Sequence, residues 1–232
     1  MLKSLEECGI CGKPLTYQPD PVAMQCVFCG ASKSTNIFCA KGHYICDACH
    51  QKEALAGLKR VLSETTSTSP GEILEIAMAH ASVPMHGPEH HVMVPAIIVA
   101  AARNAGFQIP DNALEQAITR GSKVPGGWCG FCGACGAGVG VGIAVSCLTR
   151  STPLTGKPRS LALYATSKAI AHIADGYPRC CKRASRRGME AAVDFFNREM
   201  GIELTTGPSI KCQYPARNKE CPKEACPYYP RE

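Results

Sequence analysis

Hydrophobic positions along the chain fall into helical spacing in six stretches and fail to do so in the first fifty residues. From Asp47 to about Leu62, the leucines Leu55, Leu58 and Leu62 recur every three or four positions, which predicts an amphipathic helix. Ser69-Pro70-Gly71-Glu72 reads as a capping box with proline in the first helical position, followed by the apolar face Ile73, Leu74, Ile76 and Ala77. Further helices are expected from about Pro95 to Asn104 before Gly106, and from Asp111 to Arg120 before Gly121. Leu161 to Ala174, stopped by Gly176, and Cys180 to Met200, stopped by Gly201, complete the set. Gly136 to Val145 fits two periods. Gly138, Gly140 and Gly142 alternate with Val139, Val141 and Ile143 like a strand, while Gly136/Gly140 and Gly138/Gly142 lie four apart and would give a helix a smooth face. Because its neighbours are helical, a buried helix is the expectation there.

The predicted fold is therefore mainly α. A small two-zinc module with its trailing helix spans residues 1–62, a Ser/Thr-rich linker spans 63–69, and a compact cysteine-rich helical domain with a cysteine tail spans 70–232. A chain of 232 residues, 45% hydrophobic and 19% charged, is long and apolar enough to bury a core. A net charge of +6 falls short of marking a nucleic-acid binder by itself. Residues Val124 to Thr149 carry no charge, but their glycines and four cysteines suit a buried core element better than a membrane span.

Sixteen cysteines change the picture most. The opening residues offer no apolar stretch for a secretory leader, so a cytoplasmic chain is expected, whose Cys-x-x-Cys pairs are metal ligands or redox thiols instead of disulfides. Four pairs fall in the first fifty residues: Cys8/Cys11, Cys26/Cys29, Cys39/His43 and Cys46/Cys49. Zinc takes four tetrahedral N or S ligands, so eight ligands imply two structural zinc ions. Sequential pairing would give a four-cysteine ribbon and then a three-cysteine, one-histidine site. Interleaved pairing would give a cross-braced module, and Phe38-Cys39-x3-His43-Tyr44-Ile45-Cys46-x2-Cys49 resembles part of RING and treble-clef fingers. His50 is a spare that could replace His43.

A second set is Cys129, Cys132 and Cys135, a Cys-x-x-Cys-x-x-Cys run like the three-ligand run of ferredoxins, whose fourth thiolate comes from elsewhere. Cys147, Cys180 and Cys181 are the available fourth ligands for an iron–sulfur cluster. Alternatively, Cys135 at a helix start is a low-pKa reactive thiol, or these cysteines fill core. Cys180 and Cys181 precede Lys182, Arg183, Arg186 and Arg187, which would stabilise a thiolate or an anion, or else form a solvated basic face. The tail cysteines Cys212, Cys221 and Cys226 suggest another metal site, completed by Cys180 or Cys181. His86, His90 and His91, expected in a loop before Pro95, could bind metal or act as acid and base.

Taken together, His86-Gly-Pro-Glu-His90-His91, Cys129-Gly-Phe-x-Gly-Ala-Cys135-Gly, Thr152-Pro153-Leu154, Pro178-Arg179-Cys180-Cys181-Lys182-Arg183 and the Cys-Pro tail resemble an uncharacterised cysteine-rich family of anaerobic bacteria and archaea. Some of its members are linked to SAM-dependent methyltransferase or radical-SAM proteins. The resemblance covers about residues 70 to 230 and implies a metal-linked role in anaerobic metabolism without a defined reaction.

Two functions compete. One is a redox, sulfur- or methyl-transfer enzyme or accessory factor, with Cys129, Cys135, Cys180, Cys181, His86, His90 and His91 as the catalytic set. The other is a non-enzymatic zinc adaptor for a protein partner or, less favoured by a 6% aromatic content, a nucleic acid.

Overall fold

The computed structural model of the protein describes residues 7–231; the expectation of no leader rests mainly on residues 1–6, which lie outside that range. Strands β1 (Leu15–Gln25) and β2 (Ser32–Cys39) form an antiparallel hairpin, with Leu15 opposite Cys39 and Gln25 opposite Ser32. The register shifts between Tyr17 and Val22, so Pro19 and Pro21, which have no N–H for a ladder, fall in the irregular stretch. The hairpin was not foreseen, because these prolines break the alternation that marks a strand.

Eight helices follow among the described residues: α1 (Asp47–Glu64), α2 (Pro70–Met78), α3 (Glu89–Asn104), α4 (Ala113–Gly121), α5 (Trp128–Phe131), α6 (Gly136–Leu148), α7 (Gly156–Ile173) and α8 (Cys181–Phe195). A π turn, Phe196–Met200, extends α8 and ends at Gly201, whose φ of 63° suits a residue without Cβ. The capping box at α2 forms, with the Glu72 N–H donating to Ser69 Oγ at 3.3 Å. The mainly helical fold with a small N-terminal metal-type module is thus observed. Leu58 and Leu62 of α1 enter the same core as Ile73, Ile97 and Phe196, so α1 packs on the helices that follow it. The stretch after α1 is held by Asn104, whose Nδ2 donates to the carbonyls of Thr65 and Ser67.

Helix α3 is the axis of the molecule, buried from Glu89 to Ala102 and packed against α1, α2, α4, α6 and α8. Its start corrects the expectation of a helix beginning at Pro95 after a loop. His90 and His91 stand in the first turn, and Pro95 lies inside the helix. Proline removes the N–H that would bond the His91 carbonyl, and Gly121 at the end of α4 packs directly against that carbonyl. The freed carbonyl is covered by a residue with no side chain.

Helix α6 resolves the ambiguous glycine segment. Its two glycine pairs serve two neighbours: a Cβ at Gly140 would lie 2.9 Å from the Pro95 ring of α3, and one at Gly138 would lie 2.6 Å from Ile170 of α7. At Gly142 a Cβ would overlap the Thr166 hydroxyl and lie 2.6 Å from the Ala162 carbonyl. No described helix is long and apolar enough to cross a membrane.

Overpacking a tight helix contact costs about 1–3 kcal/mol. Gly142→Ala should therefore lower the free energy of unfolding, measured by urea titration, by that amount. Gly156→Ala, at a position with no atom within 4 Å of the added Cβ, should leave it within about 0.5 kcal/mol.

Candidate metal centres and a thiol cleft

The N-terminal ligands assemble as two interleaved groups: Cys8, Cys11, Cys39 and His43, and Cys26, Cys29, Cys46 and Cys49. In each, the ligand atoms lie within 4.8 Å of one another. Cys11 and Cys39 sulfurs are 3.7 Å apart, as are those of Cys29 and Cys46. A tetrahedron with metal–sulfur bonds of about 2.3 Å puts sulfurs about 3.8 Å apart, so the donors fit zinc. The local chain builds these sites in repeated turns. Gly12 and Gly30, with φ of 69° and 71°, close the two Cys-x-x-Cys turns by donating to the carbonyls of Cys8 and Cys26. The β-hairpin connects those turns, and Cys46 caps α1, which places Cys46 and Cys49 at the positive end of a helix. Burial would raise the Cys26 thiol, but backbone N–H groups of Cys46, Cys29 and Phe28 bring it down to about 6. The pairing left open by spacing is cross-braced, because the hairpin carries the second turn away from the first.

His50 is not a spare ligand. Its Nδ1 meets Glu89 Oε2 at 3.1 Å, while His43 Nδ1 faces Cys8 Sγ at 3.5 Å. Glu89 is fully buried at the head of α3. Burial would raise its carboxyl, yet the His50 hydrogen bond and the His90 ring, 3.4 Å from Oε1, hold it down at about 2. Burial pushes His90 downward, whereas at His50 the Glu89 hydrogen bond and charge outweigh burial and push it up, so the charged couple is Glu89 with His50. Asp47 Oδ2 adds a second tie by accepting from the Gly126 N–H at 3.2 Å. Between module and helices lies a cavity of about 290 Å³ lined in part by His43, His50, His86, Trp128 and Arg179. His86 is held at about 4 by burial and by nearby Arg179. The three histidines do not converge on one point. Among the described residues, only the two N-terminal groups bring three or more ligand atoms within 4.8 Å.

A cleft of about 340 Å³ gathers Cys129, Cys135, Cys180, Cys181 and His91 from α5, the cap of α6, the start of α8 and the first turn of α3. Cys132 is exposed and does not line it. A Cβ at Gly136 would overlap the His91 ring, so glycine lets the first turn of α6 lie against that histidine. His91 Nδ1 bonds the Val124 carbonyl at 2.8 Å, which places the proton on Nδ1 and leaves Nε2 as an acceptor. Cys135 does open α6, but it is not a low-pKa thiol. Burial pushes it up and outweighs the N–H groups of Ala137 and Gly138. Burial likewise pushes Cys181 up to about 12, against the pull of Arg179 and the Gly87 N–H.

Cys147 is corrected as a cluster ligand. It lies twelve residues beyond Cys135 on the same helix, roughly 18 Å away at 1.5 Å per residue, and is buried in the apolar core. The tail cysteines Cys212, Cys221 and Cys226 meet Cys180 around a separate small cavity. The basic run is no solvated face: Lys182, Arg183 and Arg186 are all buried. Arg183 pairs with Asp175 and Arg186 with Glu75, partners that sequence analysis missed because they lie outside the α8 sequence, Glu75 far upstream.

The sequence signature of a Family of unknown function (DUF5714) matches residues 58–229, from within α1 to the tail, so the two N-terminal sites lie outside the match. No curated protein and no solved structure matches the chain.

Cross-bracing makes a testable demand on metal content. Cys11→Ser with Cys39→Ser disables one site and should remove one ion per chain by elemental analysis. Cys11→Ser with Cys29→Ser disables both and should remove two. Sequential pairing would give the opposite pattern.

Proposed function

The chain belongs to this family of unknown function, and we propose that it is a cytoplasmic iron–sulfur protein whose cluster sits in the cleft of Cys129, Cys135 and Cys181. The supporting observation is the convergence of thiols from α5, the α6 cap and the start of α8 on one cleft. Cys129, Cys132 and Cys135 form the three-ligand run, and Cys181 is the fourth ligand. Cys132, on the exposed turn between Gly130 and Gly133 that line the cleft, would be the remaining ligand of that run. A cluster there supplies one-electron exchange. The chain's residues cover its inner side with His91, Ile170 and Ile173, aim the N–H groups of Ala137, Gly138 and Gly87 at sulfur, and set Arg179 near the mouth. Tyr177 and Arg179 line the rest of the cleft, where a small sulfur- or methyl-bearing substrate would bind. The exposed Cys129 and Cys132 would leave such a cluster open to oxygen, which accords with a role in anaerobic metabolism alongside SAM-dependent enzymes.

The N-terminal module holds two zinc ions as closed structural sites, and its part is to fix α1 and the wall that carries His50 and His43. A protein partner is favoured at its outer end, where Phe28 of the second cysteine turn is 66% exposed and Val27 beside it 45%. Nucleic acid is disfavoured, because the basic run is buried and paired.

Anaerobic purification followed by iron, sulfide and zinc analysis tests the proposal. The expected protein is brown, with about two zinc ions and iron matched by sulfide. Cys135→Ser and Cys181→Ser should each lower iron and bleach visible absorption, whereas Cys147→Ser should keep both. A Cys135→Ser protein with undiminished iron removes the cluster from this cleft.

A further inference from the structure

Residues 205–231 contain no strand and no helix longer than one turn among them, yet they are drawn onto the surface of α2 and α8. Tyr214 Oη donates to the Met78 carbonyl at 3.1 Å, Tyr228 Oη to Glu190 at 2.7 Å, and the Cys212 N–H to the Tyr228 carbonyl at 2.7 Å. A segment with so few large apolar groups cannot hold itself by burial alone, and chains of this kind fold on metal. Three of its residues are cysteines, and all three line one cavity of about 20 Å³ together with Cys180, the cap of α8.

We infer that Cys180, Cys212, Cys221 and Cys226 hold a second iron–sulfur cluster, a four-iron cubane, which staples the tail to α8 and is separate from the cluster in the Cys129–Cys135 cleft. Four independent features support it. Backbone N–H groups already point at sulfur: Arg183 N–H to Cys180 Sγ and Tyr214 N–H to Cys212 Sγ, both at 3.4 Å. Cys221 and Cys226 are each followed by proline, as is the last cysteine of the ferredoxin run.

Charge is the third feature. Lys182, Arg186 and Arg217 all stack on the Tyr214 ring, at 4.6, 5.9 and 5.6 Å, and Arg183 lines the cavity. Against these four cations stand the carboxylates of Glu75 and Asp175, paired with Arg186 and Arg183. The surplus of two positive charges is met by a centre with four thiolates, which carries about two negative charges whether it is a cubane or a single zinc ion. The choice between those falls to spacing. In the two N-terminal groups all sulfurs and the histidine nitrogen lie within 4.8 Å, but no three of these four thiols do. A cubane binds each thiolate at a different iron and so holds them further apart than one ion can.

Because Cys180 and Cys181 are consecutive, the cage and the cleft meet at the start of α8, and a cluster in each would put two redox centres side by side. The inference does not need the cleft to hold a cluster. Iron, sulfide and zinc are measured on the full chain purified and reconstituted without oxygen, beside Cys212→Ser, Cys221→Ser and Cys135→Ser. With both centres filled, about eight irons are expected per chain, and each tail variant should lose about four while keeping its two zinc ions. Cys135→Ser should lose the other four. If the tail variants lose iron and Cys135→Ser does not, the cage stands and the cleft proposal falls. If the tail variants keep all their iron, or lose one zinc ion instead, the cage is overturned. A measurement on the unmutated chain guards against misfolded variants. Cys212 and Cys221, both half-buried, should resist alkylation in the iron-loaded protein and react after the iron is chelated. Equal labelling in both states overturns the inference.

Discussion

The close approach of α6 to α3 and α7 is the constraint on which the rest of the molecule depends. Helix α3 is buried almost throughout, so its neighbours must lie against it on every side. A helix with ordinary side chains at positions 136, 140 and 142 would be held away by His91, Pro95 and Thr166. Glycine at those positions costs helix propensity, roughly 1 kcal/mol each, and the dense packing offsets it. The same approach fixes the cap of α6, and with it Cys135, beside His91 and the start of α8. The geometry of the thiol cleft is therefore a by-product of core packing.

Metal-type sites and buried charge supply what the core does not reach. The module at the N-terminus has a two-stranded hairpin and two sets of four ligands but few large apolar groups, and it meets the helices through the Glu89–His50 couple and the Asp47–Gly126 bond. A buried carboxylate between two imidazoles is costly to break, because removing one partner strands the other without water. It acts as a positional lock that sets which face of α1 turns toward the cavity holding His86 and Arg179. The tail has the same deficit of apolar surface, and there the cations of α8 stack on Tyr214 while four cysteines line one small cavity.

Sequence pattern located most helices to within a few residues, because their apolar spacing and capping residues act locally. It also named all eight N-terminal ligands, since Cys-x-x-Cys turns announce themselves. It missed where α3 begins, because proline is normally a first-turn residue, and only the contact with Gly121 makes it acceptable at Pro95. It missed the hairpin for the same reason, through Pro19 and Pro21. Lys182, Arg183 and Arg186 look from sequence like a wet face, and Cys147 looks like a ligand, until their neighbours are known.

The amino-acid sequence by itself determined most of the helices, the eight N-terminal ligands and the smooth glycine face of the 136–145 segment, since each follows from residues within a few positions of one another. Only the tertiary structure decided which cysteine pairs share a site, that Glu89 belongs with His50, and that Cys180 lines both the thiol cleft and the tail cavity while Cys181 lines the cleft. Those outcomes depend on contacts between residues far apart in the chain, and spacing along a chain carries no information about which distant segments are brought together.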